Sequence, residues 1–258
     1  MAWTPFPHQD DAYVYTSAGL KKAWARLHAG DAEPVPKKAA LVEAWIAFHA
    51  GDFETARTLG LDMGLEGYSV AHKASCIYVS HLEKSDKKRL AMFEEVAERC
   101  LRQQAEQPGN AAGFYWHAFA LGRYAQGISI VKALAQGLAP KVRASILQAI
   151  KLAPAHADAH IALGAYQAEI IGSVGAMIGG LTYGARKPDC YQAFRRALEL
   201  NPESAVCRIE YAKAMLTLDG KKALQDANAL YQAASVLEPR DAMERFDVEA
   251  ARQKSGAA

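Results

Sequence analysis

The chain is poor in the features by which most chemistries announce themselves. Its four cysteines, Cys76, Cys100, Cys190 and Cys207, stand far apart with no Cys-x-x-Cys pair. A zinc site needs clustered thiolates and a disulfide framework needs density in a short chain, so both are excluded and reduced thiols are expected. No run approaches the ~18 continuous apolar residues of a membrane span. Charge is nearly balanced, 30 Lys plus Arg against 28 Asp plus Glu. The positive surplus that displaces phosphate counterions is missing, so no nucleic-acid partner is expected. Alternating apolar–polar stretches are scarce and no Asn-Gly turn occurs, which argues against a sheet-based fold. The opening Met1-Ala-Trp-Thr-Pro-Phe-Pro-His-Gln-Asp-Asp11 carries acids where a secretory leader carries Lys or Arg, and neither an apolar core nor a lipoprotein cysteine follows. The expected location is the cytoplasm.

What the chain does have is length, apolar content and self-similarity. Its 258 residues, 51% hydrophobic and 22% charged, suffice for one extended domain or a small pair. Three segments align: Ala149-Ile-Lys-Leu-Ala-Pro154, Ala197-Leu-Glu-Leu-Asn-Pro202 and Ala234-Ser-Val-Leu-Glu-Pro239. Proline cannot continue a helix and restricts the residue before it, so each segment marks a helix end. The alanine lets two helices approach, and the leucine fills the space beside it. After the first two prolines come Ala157-Asp-Ala-His-Ile-Ala-Leu-Gly164 and Ala205-Val-Cys-Arg-Ile-Glu-Tyr-Ala212. Both set a large apolar residue directly before a small one, Leu163-Gly164 and Tyr211-Ala212.

On these residues the chain resembles the tetratricopeptide repeat family, most clearly from residue 111 to 239. Phe194 and Tyr231 stand at the family's aromatic slot, Ala227 at its small slot, and Trp116, Phe119 and Ala120 at its tryptophan, leucine and glycine slots. A fainter unit ends at Pro108, and Ala50-Gly-Asp-Phe-Glu-Thr-Ala56 is similar to the family's inter-helix turn. The resemblance implies an all-α fold, a right-handed superhelix of helical hairpins. The prolines at 108, 154, 202 and 239 are spaced by 46, 48 and 37 residues, against about 34 for the family. The excess lies in two enlarged hairpins, Gly127–Gly137 and Ile170–Gly184. Such hairpins are similar to those of bacterial proteins related to regulators of microtubule dynamics, and of helical subunits associated with some TRAP transporters.

Periodicity, caps and breakers predict helices over 17–29, 37–50, 53–64, 67–83, 86–106, 112–126, 138–152, 156–171, 187–199, 203–217, 221–236 and 240–254. Asp52, Ser85 and Ser204 are the expected N-caps. Residues 1–36 form an N-terminal helix with a linker from Gly30 to Pro36, residues 37–239 the repeats, and 240–258 a capping helix with a frayed tail.

Candidate sites are few. His156 and His160 share a helix face near Asp158 and could ligate a metal, but Ala157 stands where a zincin carries glutamate, and His160 falls at the repeat's tryptophan slot. Ser129-Ile-Val-Lys132 lacks the companion motifs of Ser-x-x-Lys enzymes. The glycine-rich run from Gly172 to Gly184 has no Gly-Lys-Ser/Thr ending and no preceding strand, so nucleotide binding is not supported. Its small residues either permit close helix packing, or Val174, Met177, Ile178, Leu181 and Tyr183 form an apolar surface for a partner, a lipid or a second subunit. Cys100 and Cys190 suit core slots. Lys84, Lys87, Lys88 and Arg89 are tempered by Glu83 and Asp86 and read as a solvated face. No catalytic set, cofactor site or metal site is expected.

The resemblance further implies a concave groove lined by the first helix of each hairpin. The family's groove positions select Phe114, His117, Leu121 and Tyr124, then Asp158, Ile161 and Glu169, then Ile209 and Lys213. The paired lysines and asparagines of a chaperone-tail clamp are not found there. The expectation is a non-enzymatic scaffold for a protein or peptide partner, with self-association left open. The alternative is a transporter-associated helical carrier of a small apolar ligand or lipid in the enlarged hairpins.

Overall fold

The computed structural model describes residues 3–256. Among them are fourteen α-helices, three short 3-10 turns and no strand. The helices are α1 (Ser17–Leu27), α2 (Ala39–Ala50), α3 (Phe53–Asp62), α4 (Tyr68–His81), α5 (Asp86–Glu106), α6 (Ala111–Gly127) and α7 (Ile130–Ala135), followed by α8 (Leu138–Leu152), α9 (Ala157–Val174), α10 (Ala176–Tyr183), α11 (Lys187–Leu200), α12 (Ala205–Asp219), α13 (Leu224–Ser235) and α14 (Ala242–Ser255).

Local chemistry sets their boundaries. Asp52, Ser85 and Ser204 accept the backbone N–H of Thr55, Lys88 and Cys207, as expected of N-caps. Thr16, Asn110 and Ser129 cap α1, α6 and α7 in the same way. Gly51 ends α2 in the left-handed region at φ 88°, where a side chain would be strained. Two helices were not expected, α7 and α10, one in each enlarged hairpin. Their glycines read as loop, yet Gly137 at φ 61°, Gly175 at φ 82° and Gly184 at φ 64° stand at helix ends, where φ > 0 costs glycine nothing, and Gly179 and Gly180 are accommodated inside α10. The helix expected from 221 begins at 224 because Gly220–Ala223 forms a 3-10 turn.

The chain divides into two compact units. The first takes in residues up to His28, Glu33–Pro154 and Arg240–Met243. Within it α2 packs on α3, α4 on α5 and α6 on α8, while alternate helices also meet, α2 with α4 and α4 with α6. Close approach is permitted by alanines with no exposed surface, among them Ala44, Ala56, Ala71, Ala74, Ala120 and Ala149. Helix α4 is buried on nearly all sides, from Tyr68 to Val79. Trp3 stacks on its Tyr78 at 3.9 Å, so the N-terminal segment covers part of it.

The second unit holds Ala29–Ala32, Ala155–Pro239 and the chain from Glu244. There α9 packs on α11 and α12 on α13, and α9 also meets α12. One core gathers Ile161, Ala168, Cys190, Phe194, Ala197, Cys207 and Ala214. A second gathers Ile209, Ala212, Ala227, Tyr231 and Ala234 with Val248 and Ala251 of α14. Gly164 faces the Phe194 ring so closely that a Cβ there would lie 2.6 Å from its Cε2. The ring in turn stacks on Tyr211, 5.0 Å between centroids and 8° from parallel.

Candidate functional site

The residues selected for a groove fall into three groups. His117, Ile161 and Ile209 are buried. Ile161 and Ile209 belong to the two cores of the second unit. His117 sits between α6 and α8, its Nδ1 2.8 Å from Ser145 Oγ. Burial, helped by Lys141, lowers its pKa to about 4, so the imidazole is neutral near pH 7. Phe114, Leu121 and Tyr124 are half-buried along one side of α6, three and seven residues apart and thus on one helical face. This is the one part of the selected set in which apolar side chains line up with partial exposure. Asp158 is half-buried; its N–H donates to Gly30 O at 2.9 Å, and its carboxylate lies over the Gly30 Cα. Glu169 and Lys213 are exposed, and Lys213 pairs with Glu210 at 2.8 Å.

The second candidate set lies on and beside α10. Met177, Ile178 and Leu181 are 75%, 48% and 85% exposed, an outward-facing apolar cluster. Val174 and Tyr183 are half-buried, and the Tyr183 carbonyl accepts from Tyr166 OH at 3.3 Å. The small residues of this run do pack: Gly179 is buried over Ile170 and Ile171, and a Cβ at Gly172 would lie 2.7 Å from Thr217 Cγ2. Gly172 and Gly179 thus serve close packing, while Met177, Ile178 and Leu181 are left as exposed apolar side chains.

The most unusual chemistry was not anticipated. In the first unit His49, fully buried, places Nδ1 2.7 Å from Asp241 Oδ2, itself 1% exposed. His49 Nε2 has no hydrogen-bond partner. Lys73, also buried, sets its ammonium 5.0 Å from the Phe48 ring centroid and 5.6 Å from that of Trp45, a cation–π arrangement. His28 stacks on Trp24 at 3.9 Å and meets His49 edge-on at 5.2 Å. Here α1, α2, α4 and residues 240–243 are fastened together. The one trace of this in the sequence is Trp-x-x-x-His occurring twice, Trp24 to His28 and Trp45 to His49, which puts both rings on one helical face. A carboxylate–imidazole pair suits general-base chemistry, but a substrate must reach it, and none of these groups meets solvent.

The thiols and three further imidazoles are withdrawn in the same way. All four cysteines are free and buried. Burial pushes the Cys190 and Cys207 thiols up to about 12 and raises Cys76 and Cys100 as well, so none is a thiolate near neutral pH. Cys100 Sγ lies 3.3 Å from His72 Nδ1, and burial with Arg99 lowers His72 to about 3. His156 is buried and spends Nδ1 accepting the Ala159 N–H at 3.2 Å, capping α9. Lys84, Lys87 and Lys88 are exposed, and Arg89 pairs with Asp86 at 3.3 Å. A surface cleft of about 690 Å³ in the first unit is lined by Trp3, Phe6, Asp10, Asp11, Asp52 and Glu54 among others. Its acids make it unsuited to an anionic ligand.

No helix among the described residues is long and apolar enough to cross a membrane. Compared with known proteins, the chain matches no family model and no curated sequence.

Proposed function

We propose that the protein is a non-enzymatic scaffold of tetratricopeptide type, a superhelix of nested hairpins that binds a protein or peptide segment. The observation that carries this reading is the packing of alternate helices within each unit, α2 on α4 on α6 and α9 on α12, beside consecutive hairpin partners. That is the contact pattern of stacked hairpins, in which each repeat buries its neighbour's face. Supporting it, His49, His72, His117, Lys73 and the four thiols are buried, while half-exposed apolar side chains line one face of α6.

The binding surface under this reading is narrower than the family groove. Helix α4 presents almost no open face, so the half-exposed stripe Phe114, Leu121 and Tyr124 on α6 is the contact in the first unit. Affinity capture with the wild type and with Leu121→Glu/Tyr124→Glu tests it. The expected result is a discrete protein retained by the wild type and lost by the variant, with both equally folded. Identical profiles would remove the α6 face from consideration.

A further inference from the structure

The second unit ends in a feature that the scaffold reading does not use. Helix α10 has eight residues, about 12 Å at the usual rise, and packs on α9. Glycines in the left-handed half of φ space flank it on both sides, and its outward side chains are Met177, Ile178 and Leu181, with Thr182 beside them. Both roots of this projection are tied to the end of α12. Gly172 abuts Thr217, and the Lys187 ammonium hydrogen-bonds the Asp219 carboxylate, as does the Tyr191 hydroxyl. The chain leaving α12 then runs at once into Lys221 and Lys222, both exposed, with Leu224 51% exposed just beyond. The apolar tip and the lysines thus share one end of the unit.

Cations outnumber carboxylates in the segments that form the tip and its roots. Between residues 170 and 191 and between 217 and 224 stand four cations, Arg186, Lys187, Lys221 and Lys222, against two carboxylates, Asp189 and Asp219. Asp219 is already engaged by Lys187 and Tyr191, which leaves Arg186, Lys221 and Lys222 as exposed cations against the one exposed carboxylate of Asp189 beside an exposed apolar tip. Long aliphatic side chains on a short projection, rimmed by cations, are the pattern that enters the headgroup–acyl boundary of a membrane while the cations face phosphate.

We propose that this end of the second unit docks on an anionic lipid surface, with Met177, Ile178 and Leu181 entering the interface and Arg186, Lys221 and Lys222 contacting headgroup phosphates. The contact is peripheral, and it does not depend on the scaffold reading.

Co-sedimentation of the full chain with vesicles of phosphatidylcholine alone, or mixed with phosphatidylglycerol, tests it. The wild type should sediment with the anionic vesicles, not with the zwitterionic ones, and should be released by salt. Met177→Glu/Leu181→Glu changes only well-exposed side chains and should stay in the supernatant with an unchanged thermal transition. Lys221→Gln/Lys222→Gln should weaken binding about five-fold per lysine. A wild type that ignores anionic vesicles, or variants that bind as it does, would overturn the proposal. So would self-association of the wild type that Met177→Glu/Leu181→Glu abolishes without any vesicle binding, since the tip would then be a face for a second copy.

Discussion

Replacing Gly164 by alanine puts a methyl group where the Phe194 ring already stands. The new Cβ would lie 2.6, 2.8 and 2.9 Å from three ring carbons, against about 3.5–4.0 Å for a relaxed carbon–carbon contact. Ring or helix must therefore retreat by about 1 Å. The ring has little room, being fully buried and stacked on Tyr211. Overpacking of this kind costs ~1–3 kcal/mol, and relief of glycine in a helix interior returns ~0.5–1 kcal/mol. The net expectation is a loss of about 1 kcal/mol, within a range of about 0–2.5 kcal/mol. Gly122 supplies the control: it too lies inside a helix, and a Cβ there meets nothing within 4 Å. Gly122→Ala should therefore stabilise by ~0.5–1 kcal/mol. Two chemically identical substitutions should thus move stability in opposite directions, by roughly 2–4 °C of Tm per kcal/mol in a chain of this size. Thermal and urea unfolding followed by far-ultraviolet dichroism measure both. Gly164→Ala as stable as Gly122→Ala would refute the close packing of α9 on α11.

Three other expectations can be checked on the same material. Asp241→Ala leaves His49 Nδ1 buried beside the hole without its partner and should cost about 1–3 kcal/mol; when His49→Phe is added, the loss of the double variant should fall short of the sum of the two single losses, as urea titration of the four species would show. His72 and His117 stay neutral in the fold down to about 3 and 4 respectively, whereas unfolded histidine takes its proton near 6.5. Their stabilisation is complete above that value and declines as pH falls below it, by about 2 kcal/mol each at pH 5. His117→Gln should flatten the fall in urea midpoint between pH 7 and 5, and an unaltered slope would show that His117 is not held neutral. The four thiols should resist an aromatic disulfide reagent in the native protein and react together on unfolding; rapid labelling of any one under native conditions would contradict its burial.

Much of the fold was legible because its determinants are local. Asp52, Ser85 and Ser204 cap where a short oxygen-bearing side chain precedes an apolar run, and the alanines at 149, 197 and 234 prove to be fully buried. Helices α7 and α10 were missed for an equally local reason: glycines at their ends look the same in sequence as glycines that break a helix. The candidate site was harder to read. A register identifies one face of a helix, but α9 and α12 have neighbours on more than one side, so Ile161 and Ile209 are absorbed into cores. His117 turns to Ser145 rather than outward. The pairing of His49 with Asp241 joins positions 192 residues apart, and no spacing rule reaches that far. On α10, the apolar residues were legible as a group; which of them meet solvent depended on Gly172 and Gly179 closing the other side.

The scaffold account rests on the open face of α6 receiving a partner while the buried histidines and thiols do no chemistry. Hydrogen–deuterium exchange on the protein alone and with its captured partner tests this most directly. The account predicts slowed exchange in the α6 peptides carrying Phe114, Leu121 and Tyr124, and no change in the peptides carrying His49 and Asp241. Protection that leaves α6 untouched and falls on His49 and Asp241 would contradict it.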